Sequence, residues 1–139
     1  MKRVVWCALL SVLPAMAAAQ VADYQVDGDG IPRSLTGKPG VAARGKALIA
    51  KRETANCLEC HSIKDKDLGG GGNKGPALDG VGAVLTAAQL RLSVVDIARV
   101  NPKAGMPSFH KIEGVAKGGA RLSPQEIEDI VAYLATLKK

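Results

Sequence analysis

The chain has 139 residues, 47% apolar and 23% charged, with a formal net charge of +6. The apolar share excludes a disordered chain. The 3% of aromatics, Trp6, Tyr24, Phe109 and Tyr133, speak against an all-β sandwich, whose strands favour aromatic and β-branched side chains. No dense Lys/Arg stripe with interleaved aromatics suggests nucleic acid, and so few large side chains leave a small domain short of core.

Met1-Lys2-Arg3 is a positive start, Val4 to Met16 an apolar run, and Ala17-Ala18-Ala19 a small-residue cleavage site before Gln20. Residues 1–19 therefore read as a secretory signal peptide, removed on export to the periplasm. The run is shorter than the ~20 residues of a spanning helix. Trp6 before Cys7 does not suit a lipoprotein signal. Loss of Lys2 and Arg3 would take the charge from +6 to +4. Of the soft and imidazole ligands, only Cys57, Cys60, His61, His110 and Met106 then remain.

Residues 20–40, rich in Asp, Gly and Pro, read as an irregular arm. Lacking a helical apolar face, the arm is expected to gain its order by packing on a second protein, with an unstructured tail as the alternative. Residues 41–139 form the main domain. Val41 to Lys51 predicts a short Ala-rich helix, and residues 62–84 a glycine-rich loop. Thr86 and Gln89 make a capping box, with Leu85 and Leu90 at the staple positions, and Pro102 excludes further helix. Ser123, Pro124 and Glu126 open the last helix in the same way, with Leu122 and Ile127 as the staple pair. Ile127, Ile130, Val131, Leu134 and Leu137 then line one face, and Lys138 and Lys139 close it. The expected fold is all-α, with three to four short helices and long loops wrapping something.

Cys57-Leu58-Glu59-Cys60-His61 is a C-x-x-C-H, the attachment motif of c-type haem. Two thiols three positions apart can each add to one vinyl group of the porphyrin, and the next residue, His61, reaches the iron. One covalent haem would also supply the missing core. A redox dithiol would want a strand before the motif, and zinc through Cys57, Cys60, His61 and His110 would want a second ligand pair. Met106, in Gly105-Met106-Pro107-Ser108-Phe109, is the candidate second axial ligand. It lies in a loop, 46 residues after Cys60, and not on an apolar helix face. His110 is its rival, with a surface histidine beside Lys111 as the bland alternative. A thioether ligand favours ferrous iron, and an iron with both axial positions filled implies electron transfer.

Gly45, the C-x-x-C-H at 57–61, Gly75-Pro76-x-Leu78, Met106-Pro107 and Tyr133-Leu134 together resemble class I c-type cytochromes over roughly residues 41–139. The resemblance implies that the first and last helices cross at Gly45, near Tyr133. It also implies that the Pro76 carbonyl accepts a hydrogen bond from His61. Ile49 stands where that family often has an aromatic. Val94-Val95-Asp96, Asn101-Pro102, Met106-Pro107-Ser108-Phe109 and the segment 122–134 resemble the SoxX family more narrowly. SoxX is the small monohaem subunit of the SoxAX complex, an L-cysteine S-thiosulfotransferase of thiosulfate oxidation. That resemblance implies a larger SoxA-like partner in a heterodimer, whose haem carries a cysteine-derived ligand and the chemistry. It implies for this chain the electron-accepting role, and a downstream acceptor cytochrome. With Cys57 and Cys60 committed to haem, no cysteine is left to be a catalytic ligand. The competing reading is a free periplasmic electron shuttle or a subunit of another oxidoreductase. Lys64, Lys66, Lys74, Lys103 and Lys111 could steer an acidic acceptor.

Overall fold

The computed structural model describes residues 22–110 and 121–139; the signal-peptide reading of residues 1–19 and Lys111 fall outside them. The described residues form four α-helices, α1 (Ala42–Ala50), α2 (Val81–Val84), α3 (Ala87–Asp96) and α4 (Pro124–Leu134), with 3-10 turns at Cys57–Glu59 and Ile97–Arg99. No strand appears among them beyond one isolated bridge, Asp27 with Gly30.

Both capping boxes form. The Thr86 hydroxyl accepts from the Gln89 N–H and the Gln89 side chain accepts from the Thr86 N–H; Ser123 and Glu126 do the same at α4. Each pair satisfies two backbone donors that a helix start leaves without partners. α1 has no such residue, since its N-cap is Val41. Asp129 of α4 substitutes from across the fold, accepting from the Val41 N–H at 2.8 Å and from Arg44 at 2.7 and 3.0 Å. A carboxylate at a helix N-terminus is also favoured by the helix dipole. The Arg44 guanidinium holds the Asp129 carboxyl below its ordinary range.

α1 and α4 touch through their backbones. A Cβ on Gly45 would stand 1.9 Å from the Asp129 carbonyl oxygen, and one on Gly40 the same distance from that of Glu128. Only glycine permits that approach. The crossing lies at Asp129, one turn before Tyr133.

Two boundaries and one pattern of burial differ from expectation. Val81–Val84, read as loop, makes one helical turn, held by the Gly82 N–H on the Leu137 carbonyl at 2.8 Å. α4 stops at Leu134, where the Thr136 hydroxyl donates to the Tyr133 carbonyl at 2.6 Å and competes with helix continuation. Leu137 therefore packs on the core from beyond the helix, and Lys138 donates to the Gly82 carbonyl instead of closing the helix dipole. α3 buries Leu90, Arg91, Leu92, Val94 and Val95, more than one face.

The cause is the N-terminal segment, and here the expectation of an arm without order of its own is overturned. Asp27 and Gly30 close a tight turn, Ile31 is 1% exposed, and its N–H donates to the Ala88 carbonyl at 3.0 Å. Arg91 donates to the Ile31 carbonyl at 2.5 Å and, through Nε and Nη2, to Glu128 at 2.7 and 3.0 Å. The second Glu128 obligation is to the arm itself, the Leu35 N–H at 2.9 Å. The arm thus packs on α3 beside its contact with α4, and its backbone at Ile31 and Leu35 is satisfied by this chain's own polar groups.

Breaking a buried ion pair leaves one charge without a partner, at a cost of about 3–5 kcal/mol. Glu128→Ala is expected to lose stability on this scale, read as a lower urea midpoint, and to open residues 22–40 to proteolysis before global unfolding.

Candidate functional site

The motif that carries the chemistry begins at Asn56, whose left-handed φ of 46° turns the chain into the Cys57–Glu59 3-10 turn. Asn tolerates that conformation better than most residues. In a 3-10 turn, side chains at i and i+3 eclipse, so Cys57 and Cys60 share one side. The Cys57 carbonyl accepts from the Cys60 N–H at 3.2 Å and the His61 N–H at 2.9 Å. Residues 72–78 lie back along the motif. The N–H groups of Gly72, Gly75 and Leu78 donate to the carbonyls of Leu58, Cys60 and Ser62 at 2.8, 2.8 and 2.9 Å.

This return strand of loop orients the imidazole. His61 Nδ1–H donates to the Pro76 carbonyl at 2.7 Å. A carbonyl only accepts, so the proton sits on Nδ1 and Nε2 keeps its lone pair. A carbonyl partner of this kind also raises the basicity of a ligating imidazole. Gly75 makes room for the ring, since a Cβ there would lie 2.6 Å from His61 Cε1.

Cys57 and Cys60 are half-buried free thiols, not joined to each other. Burial pushes the Cys57 thiol up to about 11. A thiol–disulfide catalyst needs the opposite shift, so a redox dithiol fits this site poorly. Zinc fits no better. Among the described residues no three His, Cys, Asp or Glu side chains converge, and His110 lies on a different segment. Two unpaired thiols beside a histidine with a free Nε2 do fit a covalent haem. Met106 is half-buried and packs on the same hydrophobic core as Cys57 and Leu58. A depression of about 630 Å³ lined by Ser62, Lys64, Lys66, Gly70 and Ala77 touches neither thiol nor Met106, and is a separate feature of the surface.

Sequence reasoning missed two parts of the surroundings. Behind the motif, Lys46 of α1 binds Asp65 and Asp67 at 2.7 and 2.8 Å, and the Tyr133 hydroxyl donates to Asp65 at 3.0 Å. Burial and that hydrogen bond push the Tyr133 phenol up to about 12; the Lys46 ammonium draws Asp65 down. The partners are 19 and 68 residues apart, so no local pattern announces them. The second is His110, which is not a surface side chain. Its ring is 0% exposed, and Nε2–H donates to the Ala22 carbonyl at 2.8 Å. Of the proposed steering lysines, Lys64, Lys66, Lys74 and Lys103 are exposed, Lys74 within 3.6 Å of Glu59.

The family model for cytochrome c matches residues 42–138. A chain of SoxXA from P. pantotrophus is similar in structure, with a TM-score of 0.77 and 32% identity, covering 84% of this chain and 95% of that one. Cytochrome c-550 from Paracoccus versutus aligns at 21% identity and a TM-score of 0.41, over 72% of this chain and 99% of that one. Among curated proteins, none matches the chain in sequence. The expected all-α, class I cytochrome c-like fold is the fold of this chain.

Gly75→Ala places a methyl group against the His61 ring, so the ring must turn from Pro76 or the loop must lift. The fraction of purified protein carrying covalent haem is expected to fall, measured by the ratio of haem absorbance to protein.

Proposed function

Because the chain belongs to the cytochrome c family, and within it to the SoxX type, we propose that it is the electron-accepting subunit of a periplasmic SoxAX complex, an L-cysteine S-thiosulfotransferase acting in thiosulfate oxidation. The observation that carries the reading is the C-x-x-C-H turn itself, with His61 Nδ1–H committed to the Pro76 carbonyl and Nε2 left free. When bound, a single haem c supplies a one-electron ferric/ferrous couple. Cys57 and Cys60 would anchor it covalently, and His61 through Nε2 and Met106 through its thioether would hold the iron.

Each residue has a stated task. The Pro76 carbonyl fixes the His61 tautomer and strengthens its donation to the metal. Met106 offsets this, since a thioether favours the ferrous state. With His61 and Met106 both holding the iron, the site would have no place for a substrate. The role is therefore to accept electrons from a partner and pass them on, and no residue of this chain is catalytic. The oxidative coupling of thiosulfate to a carrier-protein cysteine belongs to a larger SoxA-like partner. The similarity to a chain of SoxXA supports that pairing. Exposed Lys64, Lys66, Lys74 and Lys103 suit a downstream acidic acceptor cytochrome.

Co-expression with a SoxA-like cytochrome tests the reading. The two chains are expected to elute together at high salt, and the pair to reduce an acceptor when given thiosulfate and carrier protein. A chain that elutes only as a monomer and stimulates no thiosulfate-dependent transfer leaves a free electron-shuttle cytochrome.

Met106→Ala is expected to remove the thioether-to-ferric-iron charge-transfer band and to lower the reduction potential. His110→Ala is not expected to remove the band. Optical spectra and a redox titration of the two variants decide between Met106 and His110 as ligand.

A further inference from the structure

His110 is fully buried, and among the described residues its Nδ1 has no hydrogen-bond partner. A buried polar atom without a partner is costly, and a leucine would fill the same space without that cost. What the imidazole adds over a leucine is a hydrogen-bond donor. Among the described residues its Nε2–H donates to the Ala22 carbonyl at 2.8 Å, and Tyr24 meets the ring edge-on with centroids 5.7 Å apart. Both partners belong to the N-terminal arm, 88 residues away for Ala22.

The residues between Met106 and His110 are fastened on two other sides. The Ser108 hydroxyl donates to the Val95 carbonyl at 2.5 Å, and the Phe109 N–H to the Val94 carbonyl at 3.4 Å. These are carbonyls that the end of α3 leaves without helical partners. The Phe109 carbonyl accepts from the Leu122 N–H at 3.1 Å, just before α4. Pro107 fixes one dihedral of the short link to Met106. His110 supplies the third side, the arm.

We propose that His110 is a positioning residue for Met106, tying the Met106 segment to the N-terminal arm so that the arm helps hold the thioether in place. The inference rests on Met106 being an axial ligand. It assigns the arm a task within this chain, and it gives the buried imidazole donor a role there.

The test uses the full, haem-loaded protein and free imidazole as a probe that competes with Met106 for ferric iron. His110→Leu keeps the bulk and removes the donor. Loss of one buried hydrogen bond is expected to raise apparent imidazole affinity about tenfold. His110→Gln, whose amide N–H can reach the same carbonyl, is expected to return the affinity to the wild-type value. Wild-type affinity in His110→Leu overturns the proposal. So does an equal rise in both variants, which would mean packing alone. If His110→Leu fails to load haem, Tyr24→Ala takes its place: a rise in imidazole affinity supports the tie, and an unchanged affinity overturns it. Met106→Ala separates the two levels. If it leaves the charge-transfer band intact, the ligand assignment fails. If it removes the band while His110→Leu keeps wild-type affinity, only the role of His110 fails.

Discussion

Two neighbouring carboxylates on α4, Glu128 and Asp129, organise the rest of the molecule. Consecutive helical residues point about 100° apart, so the two face different segments. Glu128 takes Arg91 of α3 and the Leu35 N–H of the arm; Asp129 takes Arg44 and the Val41 N–H at the start of α1. Both side chains are almost fully buried, and a buried carboxylate is tolerated only with its partners in place. Their effect is less net stability than a single permitted arrangement, because an apolar pair of similar volume often does as well energetically. α1, α3 and the arm can each meet α4 in one register only.

That arrangement is what suspends the site. One turn beyond Asp129, Tyr133 reaches Asp65, and Lys46 of α1 reaches the same carboxylate, so the loop after His61 hangs from the α1–α4 crossing. On the other side, Ser108 and Phe109 attach the Met106 segment to the end of α3. The two candidate iron ligands are thus held by different helices, and α4 holds those helices together. Neither ligand depends on its own short loop for rigidity.

The legible parts of this structure were those encoded over a few residues. Thr86 with Gln89, and Ser123 with Glu126, are three positions apart and declare two helices outright. Cys57, Cys60 and His61 declare the cofactor chemistry in five residues. Resemblance to class I cytochromes supplied the Pro76 carbonyl, which sits 15 residues from its donor. The polar contacts between more distant segments were illegible. Arg91 and Glu128 look like solvent-facing charges on amphipathic helices until the arm is laid across them. His110 looked exposed because it precedes a lysine, whereas Ala22 and Tyr24 enclose it from the far end of the chain. The arm looked disordered because its order is borrowed from groups that its own composition does not contain.

The long separations have a consequence for how the chain comes together during synthesis. Leu35 waits for Glu128, 93 residues later, and Val41 waits for Asp129, 88 residues later. A chain released from its N-terminus cannot lock α1 or the arm until its last helix has emerged. Closing contacts this far apart is slow, because loop entropy must be overcome first. Throughout that interval the turn at Cys57–Glu59 has emerged while the α1–α4 crossing that supports it has not formed. The topology thus makes the support of the Cys57–His61 segment a late event, one that waits for α4.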